Sequence, residues 1–238
     1  GLMAVLVLSI TVRFVKEREF NSSSIKLPSF AKVFKSVANN YPFWIVFASI
    51  LILGSTSIMF NNNLIYFVKY SLDLHEYQGL ILGISSGSAL LAIPLWAYAA
   101  LKIGKRNSWM ASMTLLIIGF LFFYFSPINS LNELLLILGF IGIGNGATGV
   151  LFWSMLPDTI EYGEWRTGVR TESSLYGFMT FAQKAAIAMA ALLLGLVLTQ
   201  IGFEPNTVQS EQTLQELKFI MTWIPLTGIF LSFILVSF

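Results

Sequence analysis

The chain has 238 residues, of which 56% are hydrophobic and only 11% charged, with a mean hydropathy of +0.76. A soluble domain carries about 25% charged residues, so the composition excludes an ordinary soluble enzyme and fits a polytopic, all-helical membrane protein. The formal charge of +2 gives no reason to expect nucleic acid as a partner, the lack of cysteine excludes disulfides and thiolate metal sites, and a lone histidine, His75, argues against a histidine-built metal centre.

Residues 1–12 are apolar, too short to span alone, and read as the end of a helix. The chain opens inside this run without an initiator methionine and stops at Phe238 still apolar, which leads us to expect a piece of a longer protein. Residues 13–42 form a basic linker with Arg13, Lys16, Arg18, Lys26, Lys32 and Lys35. Within it Phe30, Val33, Phe34 and Val37 recur at helical spacing, with Lys32 and Lys35 on the other side, so a short interfacial helix is expected near Ser29–Asn39. From residue 43 to 238 six apolar runs follow: Phe43–Phe67, Tyr77–Leu101, Trp109–Phe125, Leu134–Leu156, Ser174–Ile201 and Phe219–Phe238. Each is about the length needed to cross a hydrocarbon core of roughly 30 Å. In lipid every backbone group must be satisfied internally, so the runs are helices. Pro94 and Pro225 should kink or break theirs.

Lysine and arginine set the orientation. The linker, the turn with Lys102, Lys105 and Arg106, and the segment with Arg166 and Arg170 are basic, whereas the alternate connections hold only Lys69 and Lys218. The linker is therefore expected in the cytoplasm. Helix end, basic linker and six spans together match the second half of a twelve-helix transporter built from two six-helix halves.

One charge remains. Lys184 sits in FMTFAQKAAIAMA, well inside the fifth full run. A lysine near the bilayer centre costs about 2.5–3.5 kcal/mol on insertion scales. The acids of the chain all lie in connections or near helix ends, so none reaches it at that depth. Its expected partner is a carboxylate in an amino-terminal half. At 100° per residue Ser173, Gly177, Thr180, Lys184, Ala188 and Ala191 share a side, which suits a polar path. Ser55, Thr56 and Ser57 with Asn61, Asn62 and Asn63 add polar groups on the first span, and at least one of the three amides should face the interior. On the fourth span Gly142, Gly146 and Gly149 form a stripe for close packing, with Asn145 beside it. Amides and hydroxyls are what a sugar site needs.

The most specific stretch is LPDTIEYGEWRTGVRTESSLYGFMTFAQK, residues 156–184, read as a cytoplasmic loop leading into the lysine helix. It resembles the glycoside–pentoside–hexuronide:cation symporter family: Asp158, Glu161, Tyr162, Gly163 and Glu164, then Val169 and Arg170, the acidic Glu172, and Lys184 fourteen residues after the arginine. The resemblance implies half of a major-facilitator-type fold and uptake of a sugar coupled to Na⁺, H⁺ or Li⁺, with no other cofactor. It implies that Lys184 and Thr180 lie near sugar and cation, and that the aspartates completing those sites belong to an amino-terminal half, the partner of this chain. It also implies an aromatic sugar platform near residue 149. Gly149 stands there, and Trp153 lies one turn away. Asn61 and Asn62 join the substrate candidates on their own chemistry. Asp158, Glu161 and Arg170, on a mixed-charge segment, are candidates for gating through pairs made in one transport state and broken in the next. Rival readings are a lysolipid-type carrier of the same broad family and a non-transporting membrane sensor or scaffold. An enzyme is disfavoured, because no Ser–His or Cys constellation exists.

Overall fold

The structure is a computed structural model, and it describes residues 5, 9, 13, 29–128 and 130–237. Of the helix end expected at residues 1–12 only residues 5 and 9 are described, and most of the linker lies outside the described residues. Among the described residues α1 (Phe30–Ala38) is followed by α2 (Tyr41–Tyr70), α3 (Gln78–Ile103), α4 (Lys105–Phe125), α5 (Leu131–Thr167), α6 (Glu172–Gln200) and α7 (Glu211–Ser237), with a 3₁₀ turn at His75–Tyr77. Six of these helices are long and apolar enough to cross a membrane.

Local chemistry fixes the ends. Asn40 caps α2 by accepting the Phe43 N–H at 3.2 Å. Its own amide donates to the Thr159 carbonyl at 2.7 Å, so one buried side chain starts a helix and ties it to α5. Ser130 and Glu133 form a capping box at the start of α5. Gly104, at φ 85°, reverses the chain between α3 and α4, and Gly168, at φ 67°, ends α5.

The extent of α5 corrects the sequence reading. The sequence ends the fourth span at Leu156 and predicts a loop after it, but the helix continues through Pro157 to Thr167. A proline loses one hydrogen bond to the carbonyl four residues earlier. The flanking bonds and the buried Leu156, Thr159, Ile160 and Gly163 hold the helix together past it. Pro94 and Pro225 likewise lie within continuous helices.

Close packing depends on missing side chains. A Cβ on Gly142 would stand 2.5 Å from the Ser85 carbonyl oxygen, and one on Gly146 would stand 2.5 Å from that of Ala89, so α3 and α5 meet backbone to backbone. Gly149, on the same stripe, has open space instead. Deeper in, Phe60 meets Phe120 at 4.9 Å between centroids and Phe67 meets Phe123 at 5.5 Å, which locks α2 to α4. Helices α3 and α6 bury only 22% and 17% of their apolar stretch, against 44–50% for the other four. These two present broad unpacked faces.

Gly146→Ala should therefore force α3 and α5 apart at a cost of about 1–3 kcal/mol, whereas Gly149→Ala should be neutral. Thermal unfolding of the full-length protein in detergent checks both: the midpoint should fall for Gly146→Ala alone.

Candidate functional site

Helix α6 packs through Leu175, Met179, Ala182, Ala186 and Ala190, all buried. These recur every three or four residues and form one face of small and medium side chains against α2. The opposite face carries Ser173, Gly177, Thr180, Lys184, Ala188 and Ala191, all exposed. Lys184 makes no hydrogen bond or ion pair among the described residues. The sequence arrangement thus survives in three dimensions: an unpartnered cation at mid-helix, flanked by small residues and a threonine. The Thr180 hydroxyl donates back to the Tyr176 carbonyl at 2.9 Å, which leaves its oxygen free to accept.

Trp153 reaches this face from α5. Its ring stacks on that of Tyr176 at 6.3 Å between centroids and 16° between planes, and both rings stay partly exposed. Tyr176 precedes Thr180 by one turn, so it shares the α6 face with Thr180 and Lys184. Gly149 and Gly177 have open space where a Cβ would stand. Sequence reading missed Tyr176. The signal was its spacing of four and eight residues from Thr180 and Lys184.

A second group of polar side chains converges inside the bundle. A cavity of about 210 Å³ is lined by Thr56 and Ser57 of α2 and by Asn145 and Thr148 of α5, among apolar residues of α4 and α7. Of the three consecutive amides, Asn63 is the one turned inward: it is fully buried, and neither of its amide atoms has a hydrogen-bond partner among the described residues. Asn61 and Asn62 are exposed, and Asn61 donates to the Ser57 carbonyl at 3.0 Å. Neither joins Lys184 or the interior cavity in this chain.

The gating candidates gather at the basic end of the bundle. Asp158, five residues past Trp153 on α5, accepts from Lys105 Nζ at 2.7 Å, and Lys105 also reaches the Ser154 carbonyl at 2.7 Å. Next to it Arg106 donates Nε to the Val236 carbonyl at 2.9 Å and also bonds the Ser237 carbonyl, near the end of α7. The first residue of α4 therefore staples that helix to α5 and the second staples it to α7. Sequence reading saw the basic turn and not its partners, because the two ends of the pair lie 53 positions apart. Arg170 bonds Glu164 at 2.8 Å and Glu172 at 2.9 Å, which bridges the end of α5 and the start of α6 across Gly168. Hydrogen bonds to Glu164 first, then Glu172, push the Arg170 guanidinium above its ordinary pKa. Glu161 is exposed beside them. No group of three or more His, Asp or Glu suited to a metal exists among the described residues.

Over residues 1–238 the sequence matches the family described as MFS/sugar transport protein. It is 30% identical over 241 residues to the isoprimeverose transporter of Lactiplantibacillus pentosus, covering 100% of this chain and 50% of that protein. It is 27% identical over 227 residues to the glucuronide carrier protein homolog of Escherichia coli K12, covering 94% of this chain and 50% of that one. The chain spans about half the length of these curated relatives. It belongs to this family of transporters, the glycoside–pentoside–hexuronide group that its motif resembles, and it is a multi-pass protein of the bacterial plasma membrane, not an enzyme.

Lys105 and Asp158 are 36% and 56% exposed, so the pair is worth about 0.5–1 kcal/mol of stability at most. Lys105→Asp and Asp158→Lys should each slow transport by a protein containing this chain severalfold, and the double exchange should restore most of it. Transport rates at equal expression test this; an exchange no better than either single variant rules out a working pair.

Proposed function

We propose that this chain is the carboxy-terminal half of a secondary transporter that couples uptake of a glycoside, pentoside or hexuronide to Na⁺, H⁺ or Li⁺ by alternating access. Residues 1–12 would end helix six, residues 13–42 would link the halves, and residues 43–238 would form the second bundle. The observation that carries the reading is the exposed α6 face, where Lys184, without a partner among the described residues, stands with Thr180 and the stacked Trp153–Tyr176 pair. A lysine held in lipid without a partner is costly. An aromatic surface beside hydroxyl and ammonium donors has the makings of a sugar subsite: the ring faces contact C–H groups, and the polar groups take hydroxyls. Thr180 and Lys184 serve sugar and cation together. Asn61 and Asn62, exposed near the far end of the same half, serve the path by which substrate enters.

The amino-terminal half is the partner. A carboxylate from it would pair with Lys184, and the bilayer surrounds both halves. Arg170, with Asp158 and Glu161, serves gating: exposed pairs are weak enough to part when the halves rock.

Uptake of a labelled glycoside panel with and without a Na⁺ gradient tests the activity. No accumulation of any member under any cation gradient would overturn it. Lys184→Ala should insert normally and lower coupled uptake by about tenfold or more, since removing one member of a buried pair costs about 3–5 kcal/mol unless the partner takes up a proton. Wild-type accumulation in that variant would make the lysine a bystander. Arg170→Ala should slow exchange between inward- and outward-facing states while leaving substrate binding near wild type, and binding and transport measured side by side would separate the two.

A further inference from the structure

At the basic end of the bundle a cavity of about 590 Å³ lies between α1 and the end of α5. Lys32 and Lys35 of α1 line one side and Arg166 of the last turn of α5 lines the other, with Asn39, Gly168 and Val169 completing the wall. The transport reading above uses none of these groups.

The frame of the cavity is fixed. Ser36 and Val37 are buried against the bundle. The Ser36 hydroxyl lies 2.8 Å from that of Thr167 and donates to the Val169 carbonyl at 3.5 Å. Helix α1 is joined to α2 through Trp44, whose indole N–H donates to the Val37 carbonyl at 3.0 Å. The lysines are thus held facing the end of α5.

The charges are uncompensated. Lys32 and Lys35 make no hydrogen bond or ion pair among the described residues. Arg166 donates to the Tyr162 hydroxyl at 2.9 Å and has no carboxylate partner there. Of the acids nearest Arg166 in sequence, Glu164 is engaged by Arg170, as is Glu172 beyond it, and Glu161 is exposed on α5 and does not line the cavity. Two helices end at the cavity, and each C-terminus contributes roughly half a negative charge. That offsets about one charge of three, so a net positive field remains.

Three cationic donors around one space match an oxyanion with several acceptor oxygens. A guanidinium takes two of them, and each ammonium takes one as a point charge. We propose that this cavity is an anion site that takes a phosphate group, carried either by a cytosolic phosphorylated compound or by the head group of an anionic phospholipid. The other side of α1 exposes Phe30 at 85% and Phe34 at 64%, an apolar pair that would rest on the membrane surface in either case. A phosphate bound here bridges the linker helix to the end of α5.

Two arms on the full-length protein test this and separate the sources. In the first, protein in phosphatidylcholine nanodiscs is dialysed against labelled pyrophosphate and inorganic phosphate. In the second, protein from discs containing phosphatidylglycerol is weighed by native mass spectrometry to count retained lipids. The site predicts saturable binding near one per chain in the first arm for a soluble source, or one retained phosphatidylglycerol per chain in the second for a lipid source. Lys32→Gln/Lys35→Gln should weaken whichever is seen by about tenfold or more, since charged hydrogen bonds are lost. Arg166→Gln, on a different helix, should weaken it likewise, while Lys102→Gln, a charge loss at the same end of the bundle but outside the cavity, should not. Binding in neither arm, or binding equal to wild type in the double variant, overturns the proposal.

Discussion

A peptide group in hydrocarbon has no water to bond, and the rest of this structure follows from that constraint. It forces continuous helices, so nearly all information must be carried by side chains on their surfaces. Apolar contact alone separates helices poorly from lipid, so specificity falls to close approach and to a few polar contacts. Gly142 and Gly146 provide the first between α3 and α5. Asn40 provides the second by capping α2 and reaching the Thr159 carbonyl of α5. The same constraint makes any unsatisfied polar side chain conspicuous, which is why Lys184 and Asn63 stand out.

The packing of α6 sets its two faces apart. Its buried face is mostly alanine below the first turns, so it lies close against α2 without long side chains to brace it. The opposite face is left free for Thr180, Lys184 and Tyr176. One helix thereby separates its faces by direction: adhesion on one side and, on the other, the exposed groups on which the proposed site rests. Trp153 joins from α5 because that helix passes nearby, with its ring nearly parallel to that of Tyr176 and offset from it.

Much of this was legible in the sequence. Hydropathy located six spans, and their observed bounds differ chiefly where polar ends extend the helices. The α6 face was readable because helical periodicity is regular and Lys184 is a single outlier in it. The end of α5 was misread because charge and Pro157 look like loop signals, whereas the buried Thr159, Ile160 and Gly163 that keep it helical declare themselves only against neighbours. Lys105 with Asp158 could not be paired from sequence, since nothing local says which turn lies beside which helix. The amides at 61–63 point three ways, and only packing decides that Asn63 is the one enclosed.

Pro157 gives α5 a mechanical property. It has no N–H to offer the carbonyl of Trp153, so the helix lacks one rung between the stacked ring and Asp158. Below that rung about ten residues run on as a rigid arm of roughly 15 Å. A further bend of about 20° at the missing rung would swing the far end by about 5 Å. The arm carries Asp158, Glu161 and Glu164, and Lys105 spans the fulcrum, bonding the Ser154 carbonyl before it and Asp158 after it. Any bend at that rung would thus move the three carboxylates together, as a short handle drives a long pointer.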